Sequence, residues 1–447
     1  MDAITTPPAP VNEPNLTYAP GSAERDALVA QLDALGGTTR QLDAHIGGEK
    51  VVGGGEEIAV VQPHAHQKVL GVLRNSTADD AKSAIAAARE AAPGWQAMPF
   101  DERAAVILRA AELLAGPWRQ RLNAATVLGQ SKTAHQAEID AACELIDFWR
   151  FNVEFMLRLY EEQPLSSPGQ WNRLEYRPLE GFVLAVTPFN FTSIAANLPT
   201  APALMGNTVI WKPAASAMLS AHYLMRLLEE AGMPPGVINM VPGDPVAVSD
   251  VLLSHRDLAG VHFTGSTEVF NAMWRTIGAS MSSYRSYPRI VGETGGKDFI
   301  LAHASADPAA LATAAVRGAF EFQGQKCSAA SRLYVPRSLW PDVRDRMVAM
   351  METIQMGDIR DFRNFMGAVI DERAFDRIAG HIAEVRSTAR IVHGGEADKS
   401  RGYFIRPTLV ETDNPDLRQL REEIFGPVLT TFVYDDDTWA EIGRAHV

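Results

Sequence analysis

Three polar groups of this chain suit covalent chemistry: a cysteine in a polar loop, a glutamate ahead of two glycines, and an asparagine between an apolar run and a helix. Cys327 lies in "FEFQGQKCSAASRLYV", where a Gly-Gln-Lys-Cys-Ser loop separates an expected helix from an expected strand. A thiol so placed, beside Lys326, can be exposed and partly ionised, as a nucleophile must be. Free cysteine is also often only a small buried hydrophobe, and loop context alone leaves both readings open. Cys143, inside an apolar helical stretch, reads as the buried kind. Glu293 in "VGETGGKDF" precedes glycines that let the backbone pass close to another group. A carboxylate near an apolar strand end can act as a base, although a solvated turn acid is the plainer reading. Asn190 in "VTPFNFTS" has a side-chain amide that can donate to a developing oxyanion or cap the following helix.

A phosphate has one seat. "HFTGSTEVF" puts Gly265, Ser266 and Thr267 between an apolar strand and a helix, where free N–H groups and the helix dipole favour an anion. Helix capping by Ser266 or Thr267 is the rival reading, since no G-x-G-x-x-G is present. "VIWKPAAS" places Lys212 at the carboxyl end of another strand, the edge where nucleotides bind in open α/β sheets. The "GGG" at 53–55 has no helix after it and reads as a turn. His64 and His66 form an isolated "HAH" without a carboxylate or cysteine neighbour, so no metal site is expected.

Alternating segments position these groups. Strand-like 182–188, 207–213, 236–242 and 260–266 alternate with helical 193–204, 217–231, 246–254 and 267–280, as βαβ units on a parallel sheet do. A second series follows: strand 297–303, helix 307–322, strand 331–336, helices 338–354 and 371–386, and strand 403–411. Ahead of both lie helical patterns at 24–35, 77–95, 99–118, 120–132 and 133–160, with short strands in 46–63. The Pro-Gly punctuated stretch 161–181 reads as a projecting hairpin of the kind that makes subunit contacts. The organisation is a Pro-rich arm over 1–25, surface-lying or disordered, then α/β domains over 26–290 and 291–447.

Composition excludes other classes. The 447 residues are 46% hydrophobic and 21% charged, an ordinary globular balance rather than a disordered one. A net charge of −13 argues against a nucleic-acid surface. No apolar run is long enough to span a membrane. Two cysteines cannot build a disulfide framework, and the opening lacks the basic start and apolar core of a signal peptide, so a cytoplasmic location is expected.

"TPFNFTS", "NTVIWKP", "HFTGST", "GETGGK", "GQKCSAASR" and "EEIFGPV", in this order across nearly the whole chain, resemble the NAD(P)-dependent aldehyde dehydrogenase superfamily. "WRFN", "PFNFTSI", "ETGGKDF" and "FQGQKCSAASRLYVPRSLW" look most like its Δ1-pyrroline-5-carboxylate dehydrogenase branch, the L-glutamate-γ-semialdehyde dehydrogenases. The resemblance implies two Rossmann-like parallel-sheet domains, the first binding NAD and the second catalytic, with an oligomerisation hairpin. It implies Cys327 as nucleophile, Asn190 and the Cys327 N–H as oxyanion donors, and Glu293 as the base for thioester hydrolysis. Lys212 matches the lysine near the adenosine ribose, Gly265, Ser266 and Thr267 the pyrophosphate-facing helix start, and Glu423 and Phe425 the residues at the nicotinamide ribose and ring. Phe191 is expected on the aliphatic chain of L-glutamate γ-semialdehyde, Ser328 at its carboxylate end and Glu138 near its ammonium. Another semialdehyde, or an inactive truncated relative, is the alternative. Where many relatives have a ribose-binding Glu this chain has Ala215, which loosens the NAD preference. The family continues past residue 447 through a substrate-clamping loop and a strand that pairs with a neighbouring subunit. "GRAHV" does not resemble that continuation, so a C-terminally truncated chain of low activity is expected, a homo-oligomer only when full-length.

Overall fold

The computed structural model describes residues 6–243 and 245–442. The first five residues of the arm and the closing "GRAHV" lie outside the described residues. The chain divides into two compact units. The first comprises 1–60, 69–129 and 137–294, and the second 61–68, 130–136 and 295–447. The break therefore falls at 294/295 rather than 290, and two short early segments cross over to the second unit. Segment 61–68 is held there by backbone bonds from His66 to Arg401 O (3.1 Å) and from Tyr403 to Pro63 O (3.0 Å). Segment 130–136 is held by the amide of Ala368, which donates to Ser131 Oγ (3.0 Å).

Unit 1 is built on a seven-stranded sheet of β1 (Ala44–Ile46), β2 (Glu49–Val51), β3 (Phe182–Val186), β4 (Thr208–Lys212), β5 (Ile238–Met240), β6 (Leu258–Thr264) and β7 (Arg289–Glu293). Their order is β7-β6-β3-β4-β5-β1-β2, parallel from β7 to β5 and antiparallel over the last pairs. β3 and β4 are apolar runs buried almost throughout, as strands covered on both faces must be. The helix Ala78–Ala97 starts at a capping box, Thr77 and Asp80 each bonding the other's backbone N–H. It lays fully buried Ala81, Ala84 and Ala88 in a core shared with Leu184, Ile210 and Phe263. Unit 2 carries β8 (Phe299–Leu301), β9 (Arg332–Pro336), β10 (Arg390–His393), β11 (Thr408–Thr412) and β12 (Val428–Tyr434), ordered β8-β9-β12-β11-β10 with only β10 antiparallel. Its core joins Leu333, Leu409 and Leu429 to Ala315, Ala319, Val343 and Met347 from two helices. The expected strand 403–411 divides into Phe404–Ile405 and β11, because Pro407 has no N–H for a ladder.

Of the two readings of the arm, surface-lying or disordered, the described part fits the first: Tyr18 is 5% exposed, and Asn12 Nδ2 donates to Asp147 (2.7 Å). One expectation changes. The excursion at 161–181 is present but carries no strand ladder. Pro164, Pro168 and Pro178 remove donors, and side chains close it instead, with Leu174 N donating to Gln163 Oε1 (2.8 Å) and Tyr176 OH to Glu162 O (2.9 Å). Leu165 (95% exposed) and Trp171 (79%) stand out from it.

His64, at the crossing of 61–68, is buried against Ser131 Oγ (3.2 Å), with Asp358 at 3.5 Å. Burial pushes its pKa down to about 4 from 6.5, against the pull of Asp358. Below pH 6.5 the unfolded chain takes up a proton at this residue that the folded chain refuses. Stability should fall as pH drops from 6.5 and level off, for this residue, below about 4. The loss is on the order of 3 kcal/mol. Denaturant melts across that range should show a shallower pH slope for His64→Gln; an unchanged slope would remove His64 as the cause.

Candidate active site

Five of the predicted residues lie along one edge of the unit 1 sheet. In the parallel ladder Val186 of β3 is level with Lys212 of β4 and Phe263 of β6, and Thr264 of β6 is level with Glu293 of β7. Asn190 follows β3, Lys212 ends β4, Gly265 and Ser266 follow β6, and Glu293 ends β7, so four neighbouring strands deliver them at their carboxyl ends. Two cross-strand bonds lock the edge: Thr187 N donates to Lys212 O (3.2 Å) and Gly265 N to Glu293 O (3.2 Å).

Ser266 caps the helix Thr267–Ala279, its Oγ accepting from Val269 N (3.3 Å). With Gly265 N committed to Glu293 and Val269 N to Ser266, the backbone donors that suit an anion are those of Ser266, Thr267 and Glu268. A side chain at Gly265 would strike the Phe263 ring, 2.7 Å from its nearest atom. Asn190 is 4% exposed, and the turn that carries it is fixed by a residue that sequence reasoning missed. Asp140 accepts from Thr192 N (3.0 Å), Ser193 N (2.9 Å) and Ser193 Oγ (2.8 Å), capping the helix Thr192–Leu204 from outside. Asp140 reaches it from a π-helical stretch, Glu138–Glu144, that interrupts the expected helix 133–160. Phe191 is half-buried at the same helix start.

Glu138 requires a correction. It is fully buried, and its carboxylate accepts from Leu16 N (2.8 Å), Tyr18 OH (2.7 Å), Asn123 Nδ2 (2.8 Å) and the Arg119 guanidinium. Arg119 in turn holds Glu13 (2.5 Å). A carboxylate so saturated fastens the arm and is not open to a substrate ammonium. Cys143 lies in the same cluster, its thiol pushed up to about 12 by burial and by Glu138.

Unit 2 brings the remaining groups together around one dipeptide. A side chain on Gly296 would collide with the Cys327 carbonyl, and one on Gly295 with the Glu423 carboxylate. Gly296 N donates to Glu423 Oε1 (2.9 Å). The two glycines of "GETGGK" thus let the Cys327 loop and "EEIFGPV" press against the same backbone. Desolvation raises the Glu423 carboxyl above its ordinary range. Phe425 takes a left-handed backbone (φ 52°), and Gly324, just before Cys327, packs on Gly426, where a Cβ would come within 2.5 Å of the carbonyl. Cys327 is half-buried and Ser328 exposed, so the loop presents both outward. The ammonium of Lys326 is turned to Glu321 (3.5 Å), which weakens the expectation that it ionises the thiol. Lys297 has its amine buried without a hydrogen-bond partner among the described residues, and burial brings its pKa down to about 8. Only its place directly after the two glycines could have flagged it. His64 and His66 do not share a site: the His66 ring stacks on Tyr403 at 5.1 Å, apart from the His64 contacts above.

Unit 1 supplies a buried amide, a carboxylate at a strand end and a helix start at the same edge, and unit 2 supplies a half-buried thiol on a loop. Residues 51–443 match the aldehyde dehydrogenase family. The chain is similar to a mitochondrial Δ1-pyrroline-5-carboxylate dehydrogenase of Dictyostelium discoideum, 44% identical over 97% of this chain and 78% of that protein. Among solved structures it resembles the NAD-bound Δ1-pyrroline-5-carboxylate dehydrogenase of Mycobacterium tuberculosis, 55% identical with a TM-score of 0.96, covering 99% of this chain and 82% of that one. The NAD-bound Thermus enzyme of the same name is 31% identical with a TM-score of 0.92, over 99% and 85% of the two chains.

Proposed function

The chain belongs to the aldehyde dehydrogenase family, and on that premise we propose that it oxidises L-glutamate γ-semialdehyde, the hydrolysed form of Δ1-pyrroline-5-carboxylate, to L-glutamate in proline catabolism with NAD. The observation that carries this reading is the 55% identity across 99% of the chain to the NAD-bound Mycobacterium tuberculosis enzyme. The donors left at Ser266 suit a pyrophosphate, and Lys212 and the Gly296-held Glu423 suit ribose hydroxyls. NAD, when bound, supplies a hydride acceptor.

The protein's own part is to make the aldehyde carbon tetrahedral and then to release the acid. Cys327 Sγ, as thiolate, forms the bond to the carbonyl carbon, and the carbonyl electron pair moves to oxygen. The Asn190 amide and the Cys327 N–H donate to that oxyanion. Loss of hydride from this carbon leaves a thioester on Cys327. Glu293 takes a proton from water as the water oxygen bonds to the thioester carbon, and collapse expels the Cys327 thiolate. Phe191 packs on the substrate chain and Ser328 contacts its carboxylate. The outstanding Leu165 and Trp171 support a homo-oligomer assembled through the excursion at 161–181. No helix of the described residues is long and apolar enough to cross a membrane. We place the protein in the cytoplasm on its sequence composition, while the Dictyostelium relative is named mitochondrial.

Incubating the purified chain with NAD and Δ1-pyrroline-5-carboxylate, beside succinate semialdehyde, tests the reading. L-Glutamate should appear one for one with NADH, at whatever rate. Preference for succinate semialdehyde, or NADH without glutamate, would overturn the substrate assignment.

A further inference from the structure

We propose that Gln323 is a positioning residue that holds the backbone ahead of Cys327 in its reactive shape, an inference that rests on Cys327 being the nucleophile. Phe322 (φ 50°), Gln323 (φ 57°) and Gly324 (φ 64°) are three successive left-handed residues between the helix Pro308–Phe320 and the Cys327 loop. Only glycine adopts that conformation without cost, and a side chain there is strained by about 1 kcal/mol or more. Such strain persists where the surroundings fix it. Here they do so through side-chain amides.

Gln323 is 1% exposed, and both ends of its amide are engaged. Nε2 donates to Ala368 O (2.7 Å) and Ser131 O (3.2 Å), and Oε1 accepts from Gly367 N (2.9 Å). Two residues on, Gln325 Oε1 accepts from Ile370 N (2.9 Å). The Phe322 ring lies under the buried ammonium of Lys132 at 4.5 Å. Phe322, Gln323 and Gln325 are thus each tied to 131–132 or to 367–370, and Gln325 N closes the turn on Phe322 O (3.0 Å). From the other side Gly296 meets the Cys327 carbonyl. Gln323 supplies two donors and one acceptor at once. Glutamate keeps only the acceptor, methionine keeps only the volume, and asparagine is one methylene short.

The test pairs Gln323→Glu and Gln323→Met with Cys327→Ala. Cooperative unfolding, the NAD dissociation constant, KM, kcat and the rate of Cys327 alkylation by iodoacetamide are measured for each. Displacing a reacting atom by about 1 Å costs on the order of 10²-fold. Both Gln323 variants should therefore lose about 10- to 100-fold in kcat and in Cys327 alkylation, with KM and NAD affinity within about twofold. A folded variant keeping both rates within about twofold would overturn the proposal, as would a loss shared equally by NAD affinity. Failure of both variants to fold would make Gln323 a stability residue and overturn it too. NADH formation persisting in Cys327→Ala would instead sink the nucleophile assignment, whatever Gln323 does.

Discussion

Cys327→Ala is expected to lower kcat for Δ1-pyrroline-5-carboxylate by at least about 10⁴-fold while leaving NAD affinity within about twofold. An aldehyde carbon releases hydride readily only after a nucleophile has made it tetrahedral, so removing the thiol removes the step on which both later ones depend. The second thiol cannot take its place. The other cysteine, Cys143, is buried, its thiol pushed up to about 12, and it sits against Arg119 Nη2 (3.3 Å) and Glu138 Oε1 (3.5 Å) under the arm. The measurement is NADH absorbance with NAD binding followed separately by fluorescence. A variant that keeps a tenth of the parent rate would show that oxidation proceeds without covalent capture.

Glu293→Gln should separate the two halves of the reaction. The amide is isosteric and cannot take a proton from water, so thioester formation proceeds and hydrolysis stalls. Rapid mixing should show one NADH per site formed in a burst, then a steady rate lower than the parent's by about 10²- to 10⁴-fold. Mass spectrometry of the quenched protein should find the acyl group on Cys327. Glu293 stands at the carboxyl end of an edge strand with its side chain exposed, and the Phe270 ring covers the side-chain-free Gly292 beside it. A missing burst with an equally slow steady rate would place Glu293 in the first half of the reaction, and an unchanged steady rate would give the hydrolytic base to another group.

Much of this site is legible in the sequence. Asn190, Lys212 and Ser266 each end or follow an expected strand, and the strand–helix alternation alone implies that parallel neighbours present their carboxyl ends together, whereas Glu293 stands out only by its motif. What escaped is what long-range contacts decide. β7 is short and exposed, and β12, though central to its sheet, carries buried Thr430 and Thr431 within its apolar run. Neither is among the expected strands. Glu138 reads as an ordinary helix acid until π-helical winding turns it, with Asp140, inward. The division of the chain is equally silent, because segments 61–68 and 130–136 look like their neighbours and are claimed by bonds to residues more than two hundred positions on.

That last feature governs the order of events during synthesis. Translation delivers 61–68 and 130–136 early, yet Asp358, Ala368 and Arg401, which secure them, emerge only when most of the chain is made. Unit 2 cannot complete itself as a late, independent block: it includes 61–68 and 130–136, which lie in sequence between stretches of unit 1. Expressed alone, residues 295–447 would lack the strips that cover Gln323 and Asp358, and shuffling the two units as separable cassettes is closed to this architecture. The nascent chain must keep those strips uncovered until Asp358, Ala368 and Arg401 have emerged, the interval in which a ribosome-bound chaperone has most to protect.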